Sequence, residues 1–171
     1  MISRSCYRRA VAAFVWFAST VVLTAEAEEG RAQRLVISDA QSTPIAEIAL
    51  PPSGRWCLIW NHSVQGFPVT DCFRTEENRL ILDSSQTPDF AAGLGYLAGR
   101  GILETNQKHG YRIVDMNVPI SSNVLRLRVG SSTVNHRIRV DSRYVNLSQL
   151  AENQRVEIRL DLVGDKGSKT Q

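Results

Sequence analysis

The sequence predicts an all-β fold: a single-domain antiparallel β-sandwich or partly open barrel with at most one short helix. Three observations predict it. Short apolar runs rich in β-branched residues recur along the chain, turn-forming residues interrupt them about every ten residues, and no βαβ rhythm appears. Arg34–Ser38 and Ile45–Leu50 are the first runs, the second stopped by Pro51-Pro52. Arg55–Asn61 follows Ser53-Gly54, and Pro68–Thr75 returns after a loop holding Gly66. The polar stretch from Thr75 to Arg79 separates that return from Leu80–Asp83. Tyr111–Met116, Val124–Val129 and Val134–Val140 come next. Gln154–Val163 alternates strictly, with Val156, Ile158, Leu160 and Leu162 on one face, as a half-buried strand requires. The segment Asn146 to Glu152 is the one helical signal and is long enough for a turn or two.

The first 27 residues read as an export signal. Arg4, Arg8 and Arg9 precede an apolar run from Ala10 to Thr24, and Ala25-Glu26-Ala27 gives a small-x-small cleavage pattern. About fifteen residues of helix span roughly 23 Å, short of a ~30 Å hydrocarbon core. A cleaved signal and a periplasmic location are therefore expected; the alternative is an N-terminal anchor facing the same compartment. The expected organisation is a signal at 1–27 and one β domain at 28–171, with a core near 34–163 and a loose Gly/Lys/Ser-rich tail at 164–171. Charge counting changes with cleavage. The whole chain carries 20 Lys+Arg against 17 Asp+Glu, and loss of Arg4, Arg8, Arg9 and Glu26 leaves 17 against 16. So nearly neutral a domain lacks the cationic surplus that bulk nucleic-acid binding draws on. Cleavage also removes Cys6 and leaves Cys57 and Cys72, an even pair in an oxidising compartment. If the flanking runs form a hairpin with Cys57 opposite Cys72, a disulfide is expected.

Candidate chemistry is sparse. His62, Ser63 and Asp71 are the residue types of a nucleophilic triad, but no G-x-S-x-G elbow frames Ser63. Adjacent side chains also diverge in extended chain. The plainer expectation is a polar cluster at a hairpin end, able to bind a ligand. Gly93 and Gly95 fall in a G-x-G-x-x-x-G stretch without the strand-and-helix context of a dinucleotide loop; they would permit close backbone approach. His62, His109 and His136 are too scattered for a metal site, and neither metal nor cofactor is expected. His136 reads as a packed histidine.

The arginines are more patterned. Leu125-Arg126-Leu127-Arg128-Val129 and Arg137-Ile138-Arg139-Val140 alternate in the same sense. Paired as a hairpin through Gly130 to Asn135, Arg128 faces Arg137 and Arg126 faces Arg139. Four arginines would then share one face. Like charges directly opposite are unfavourable, so Glu157 and Asp161 or an anionic partner should offset them.

Trp60-x-His62-Ser63-Val64-x-x-x-Pro68-Val69-x-Asp71-x-Phe73 resembles the hallmark of the bacterial family called domain of unknown function 1850. Phe90-Ala91-Ala92-Gly93-Leu94-Gly95 resembles its second block, and Leu125 to Gly130 with Asn135-His136-Arg137-Ile138 its third. Asp71 stands where the family favours Glu, and Gly93-Leu94-Gly95 where it often has Gly-Ala-Gly. The resemblance implies a small exported or membrane-linked protein associated with TRAP-type transporters that use TAXI-class solute-binding proteins. It implies no enzymatic activity. The expected function is a non-catalytic accessory of such a transport system, binding the permease, the solute-binding protein or the solute. The alternatives are an independent periplasmic small-ligand-binding β-domain and a hydrolase using His62, Ser63 and Asp71.

Overall fold

Among the described residues, twelve strands and one short α-helix form two antiparallel sheets that share a core. The computed structural model describes residues 31–89, 99–106 and 110–163. The leader expected at 1–27, Gly93, Gly95, His109 and the tail at 164–171 lie outside them. The strands are β1 (Gln33–Asp39), β2 (Pro44–Ala49), β3 (Trp56–Asn61), β4 (Pro68–Glu76), β5 (Arg79–Thr87), β6 (Ile102–Asn106), β7 (Gly110–Val114), β8 (Val118–Pro119), β9 (Val124–Arg128), β10 (Arg137–Val140), β11 (Arg143–Asn146) and β12 (Arg155–Leu162). Helix α1 (Leu147–Ala151) separates the last two strands, and the Asn146 side chain caps it by accepting from Gln149 N.

The smaller sheet runs β2-β1-β12-β9. The larger runs β11-β10-β3-β4-β5-β7-β6, with β8 paired to β5. Alternation explains how they face each other. Leu35 and Ile37 of β1 and Val156, Ile158 and Leu160 of β12 turn one way. They meet Trp56, Leu58, Phe73, Leu80 and Ile138 of the larger sheet in one buried cluster. The sheets stay open, so the fold is a sandwich and not a closed barrel.

The β3–β4 hairpin takes the register its cysteines require. Cys57 lies opposite Cys72, with Trp56 opposite Phe73 and Asn61 opposite Pro68. The turn between β4 and β5 is tighter than the sequence indicated. Only Glu77 and Asn78 lie in it, both at positive φ (48° and 61°), the two-residue turn whose twist suits a hairpin. Strand β5 also runs on to Thr87, four residues past the expected end at Asp83.

The expected hairpin of the two arginine strands does not form. β9 pairs with β12, and β10 lies in the other sheet between β3 and β11. The stretch from Val129 to His136 crosses from sheet to sheet. Arg126 and Arg128 therefore face outward from the smaller sheet. Arg137 and Arg139 face outward from the larger one, because Ile138 and Val140 between and beyond them are buried in the core. Charge gives a reason for this outcome. Hairpin pairing would set two arginine pairs face to face, whereas the observed register sets Arg126 opposite Glu157 and leaves one such pair, Arg128 opposite Arg155.

Candidate binding site on the β3–β4 hairpin

The loop joining β3 to β4 is held from several sides. His62 N donates to Phe67 O, and Gly66 N donates to His62 O, both at 2.8 Å. The His62 ring stacks on Phe67 with centroids 5.4 Å apart. Its Nδ1 accepts from Val64 N at 3.3 Å and from Gln65 N at 3.1 Å. Gly66, at φ 73°, supplies the left-handed step that closes the turn. Behind the loop a disulfide joins Cys57 to Cys72, whose Cα atoms are 4.0 Å apart. The imidazole thus organises the tip. At the apex, Ser63 is exposed and Val64 is 83% exposed, the highest value for any large apolar side chain among the described residues.

The base of the loop is tied to a second one. Asn61 N donates to Val134 O at 2.7 Å, and Asn61 Nδ2 to Thr133 O at 2.9 Å. Trp60 stacks against His136, with centroids 6.0 Å apart. His136 is a packed histidine, as the sequence indicated. Its Nδ1 accepts from Gly130 N at 3.0 Å, and its backbone N donates to Ser148 Oγ. Ser148 Oγ in turn donates to Gly130 O. Burial holds the His136 pKa below its ordinary value, so the neutral ring is favoured and the proton sits on Nε2.

Asp71 does not join His62. It pairs with Leu58, four residues before His62, so about 13 Å of strand separates them. Ser63 points to solvent at the tip. The three triad-type residues are therefore not brought together. Asp71 lies instead in a cross-strand row on the inner face of the larger sheet: Ile138, Leu58, Asp71, Ser85, Ile113. Ser85 Oγ donates to Asp71 Oδ1 at 2.6 Å. Burial among these apolar neighbours pushes the carboxyl up to about 6, against the opposing pull of that hydrogen bond. Sequence reasoning missed Ser85, because its meeting with Asp71 depends on the β4–β5 register and its irregularity at Cys72/Phe73.

The arginines divide between the two outer faces. Arg126 Nε donates to Glu157 Oε1 at 2.8 Å, and Arg159 Nη2 to Glu157 Oε2 at 3.2 Å. Asp161 serves Arg34. On the other face, Arg139 Nη2 reaches Cys57 Sγ at 3.4 Å. Among the described residues no group of three or more His, Cys, Asp or Glu side chains is placed to hold a metal ion.

These features define a class: a small antiparallel β-sandwich, disulfide-stapled, presenting one rigid loop. Over residues 57–147, more than half its length, the chain matches the family described as domain of unknown function (DUF1850), and it belongs to that family. No curated protein and no solved structure matches it. The hallmark residues now have places. Trp60 stacks on a residue of the third block, Val69 and Phe73 are buried, His62 shapes the loop, and Asp71 meets Ser85. Ser63, Val64 and Pro68 are the exposed residues of the hallmark, with Ser63 and Val64 at the tip.

Proposed function

We propose that the protein is a non-catalytic binding module, exported to the periplasm, that serves a TRAP-type solute transporter of the TAXI class. It docks on the permease or the solute-binding protein through the Ser63–Val64 tip. The observation that carries the binding part is the exposure of Val64 on a loop braced by a disulfide, a stacked imidazole and backbone bonds. A fixed apolar tip loses little conformational entropy when it is covered, which favours recognition. The transporter part rests on the resemblance of the hallmark. The periplasmic location rests on the leader and agrees with a disulfide in an oxidising compartment.

Co-purification with separately expressed permease and solute-binding protein tests this reading. Wild type is expected to retain one of them, and Val64→Asp to lose it with an unchanged melting temperature. A wild-type protein that retains neither component, or a Val64→Asp variant that retains it equally, overturns the proposal. Leu150→Asp, at an exposed apolar site on α1, is the control expected to bind normally.

A second reading has its own observation. The Asp71–Ser85 pair is a polar group set among apolar residues on the inner face. A small-ligand-binding domain would use such a pair to orient a neutral polar ligand. A gain in thermal stability with a small molecule, lost in Ser85→Ala, would favour it over docking at the tip.

A further inference from the structure

Between β9 and β12 a groove of about 420 Å³ opens on the outer side of the smaller sheet, lined by Ala40, Arg126, Leu127, Arg128, Arg155 and Val156 together with Glu157. Its volume is in the range of small-molecule sites. Arg128 and Arg155 lie directly opposite each other. Val129 N donates to Gln154 O in the next pair along, so Arg128 and Arg155 occupy a pair without its own ladder bonds, where facing side chains stand closest. The two arginine side chains thus leave the sheet side by side, and both are exposed.

Among the described residues no acid offsets them. Glu157 gives one carboxylate oxygen to Arg126 and the other to Arg159. Asp39, opposite Val156, spends Oδ1 on Gln41 N at 2.9 Å and Thr43 N at 2.8 Å, fixing the β1–β2 turn. Among the described residues neither Arg128 nor Arg155 has an ion-pair partner. Two guanidinium forks match the paired oxygens of a carboxylate or phosphate; Leu127 and Val156 turn their side chains to the core, so the apolar surface of the groove comes from Ala40 and the methylene stems of the arginines.

We propose that Arg128 and Arg155 form an oxyanion-binding site for a small organic anion, its carboxylate or phosphate held between the two guanidinium groups and its carbon body against Ala40 and the arginine stems. This site is separate from the β3–β4 tip and does not depend on the transporter reading.

The test is an amide NMR titration of the intact mature protein at low ionic strength, with inorganic phosphate, acetate and hexanoate as probes. Saturable shifts are expected at residues 126–128 and 155–157. Hexanoate is expected to bind more tightly than acetate if the ligand is an organic carboxylate, and phosphate more tightly than either if it is a phosphate ester. Arg128→Ala with Arg155→Ala should weaken binding about tenfold or more, equivalent to at least ~1.4 kcal/mol. Removing a like-charge pair should not lower the melting temperature, and single Arg128→Gln gives an independent check. Arg137→Ala with Arg139→Ala, on the opposite face, should bind like wild type, as should Val64→Asp. The proposal is overturned by the absence of saturable shifts with all three probes up to about 20 mM, or by equal affinity in the double variant.

Discussion

Asp71 shows what one residue contributes when its environment disagrees with its charge. Its carboxyl is raised from 3.8 to about 6, so the folded state prefers the neutral form. That preference stabilises fully below about pH 3.8 and is lost as pH rises through about 6. Asp71→Asn keeps an oxygen for Ser85 Oγ and has no charge to bury. Urea denaturation is expected to find it more stable than wild type by about 1–3 kcal/mol near pH 7.5, with the difference shrinking toward zero near pH 4. His136 has the opposite sign. Its lowered pKa means that the unfolded chain takes up a proton first as pH falls below about 6.5, so stability declines on that side. His136→Phe keeps a ring against Trp60 but leaves Gly130 N without its acceptor. A loss of about 1–3 kcal/mol at neutral pH is expected, along with loss of the acid-side slope. The packed role of His136 was expected from its core-facing place in the arginine-hairpin register; that register does not form, but His136 keeps the parity of the buried Ile138 and Val140. The Asp71–Ser85 meeting was not legible, because it joins residues on different strands across an irregular register.

At the scale of elements, the β3–β4 hairpin was legible and the arginine strands were not, for reasons that differ in kind. In the hairpin, two cysteines, a glycine-bearing loop and a proline at the returning strand all fix the same register. Disulfide closure over a separation of 15 residues should contribute about 3 kcal/mol by loop entropy. Cys57→Ser with Cys72→Ser is therefore expected to lower the unfolding free energy from urea denaturation by that amount, and denatured, unreduced wild type should show neither thiol on titration. For β9 and β10, alternation told which side chains face inward but said nothing of the partner strand. Each strand kept its apolar face and took a different neighbour. Asn61 supplies part of the physical reason, since its bonds to Thr133 O and Val134 O anchor the crossing loop to β3. Strands β6, β8 and β11 were missed because the first mixes Glu and Asn into a short run, the second has two residues, and the third is an edge strand with exposed Arg143 and Tyr144.

At the scale of the whole molecule, the charged outer face of the smaller sheet contributes little to stability. Its ion pairs, Arg34 with Glu47 and Asp161 and Glu157 with Arg126 and Arg159, are partly or largely exposed. Exposed pairs of this kind are worth roughly 0–1 kcal/mol each and are weakened by salt. The fold itself rests on the core shared by the two sheets, which these charges do not touch. Glu157 is the hinge of the arrangement, because it engages both Arg126 and Arg159 and stands one outward position along β12 from Arg155. Glu157→Gln removes its charge and frees both guanidinium groups. Stability should then change by less than about 1 kcal/mol, since the lost pairs are screened. Phosphate affinity at Arg128 and Arg155 should rise about two- to five-fold at low ionic strength, as one more uncompensated charge enters the groove. Added salt at about 0.5 M should erase that gain while leaving the denaturation midpoint nearly unchanged. A variant that unfolds readily but binds phosphate no better would mean that the outward charges serve the fold, and the separation between core and face would not hold.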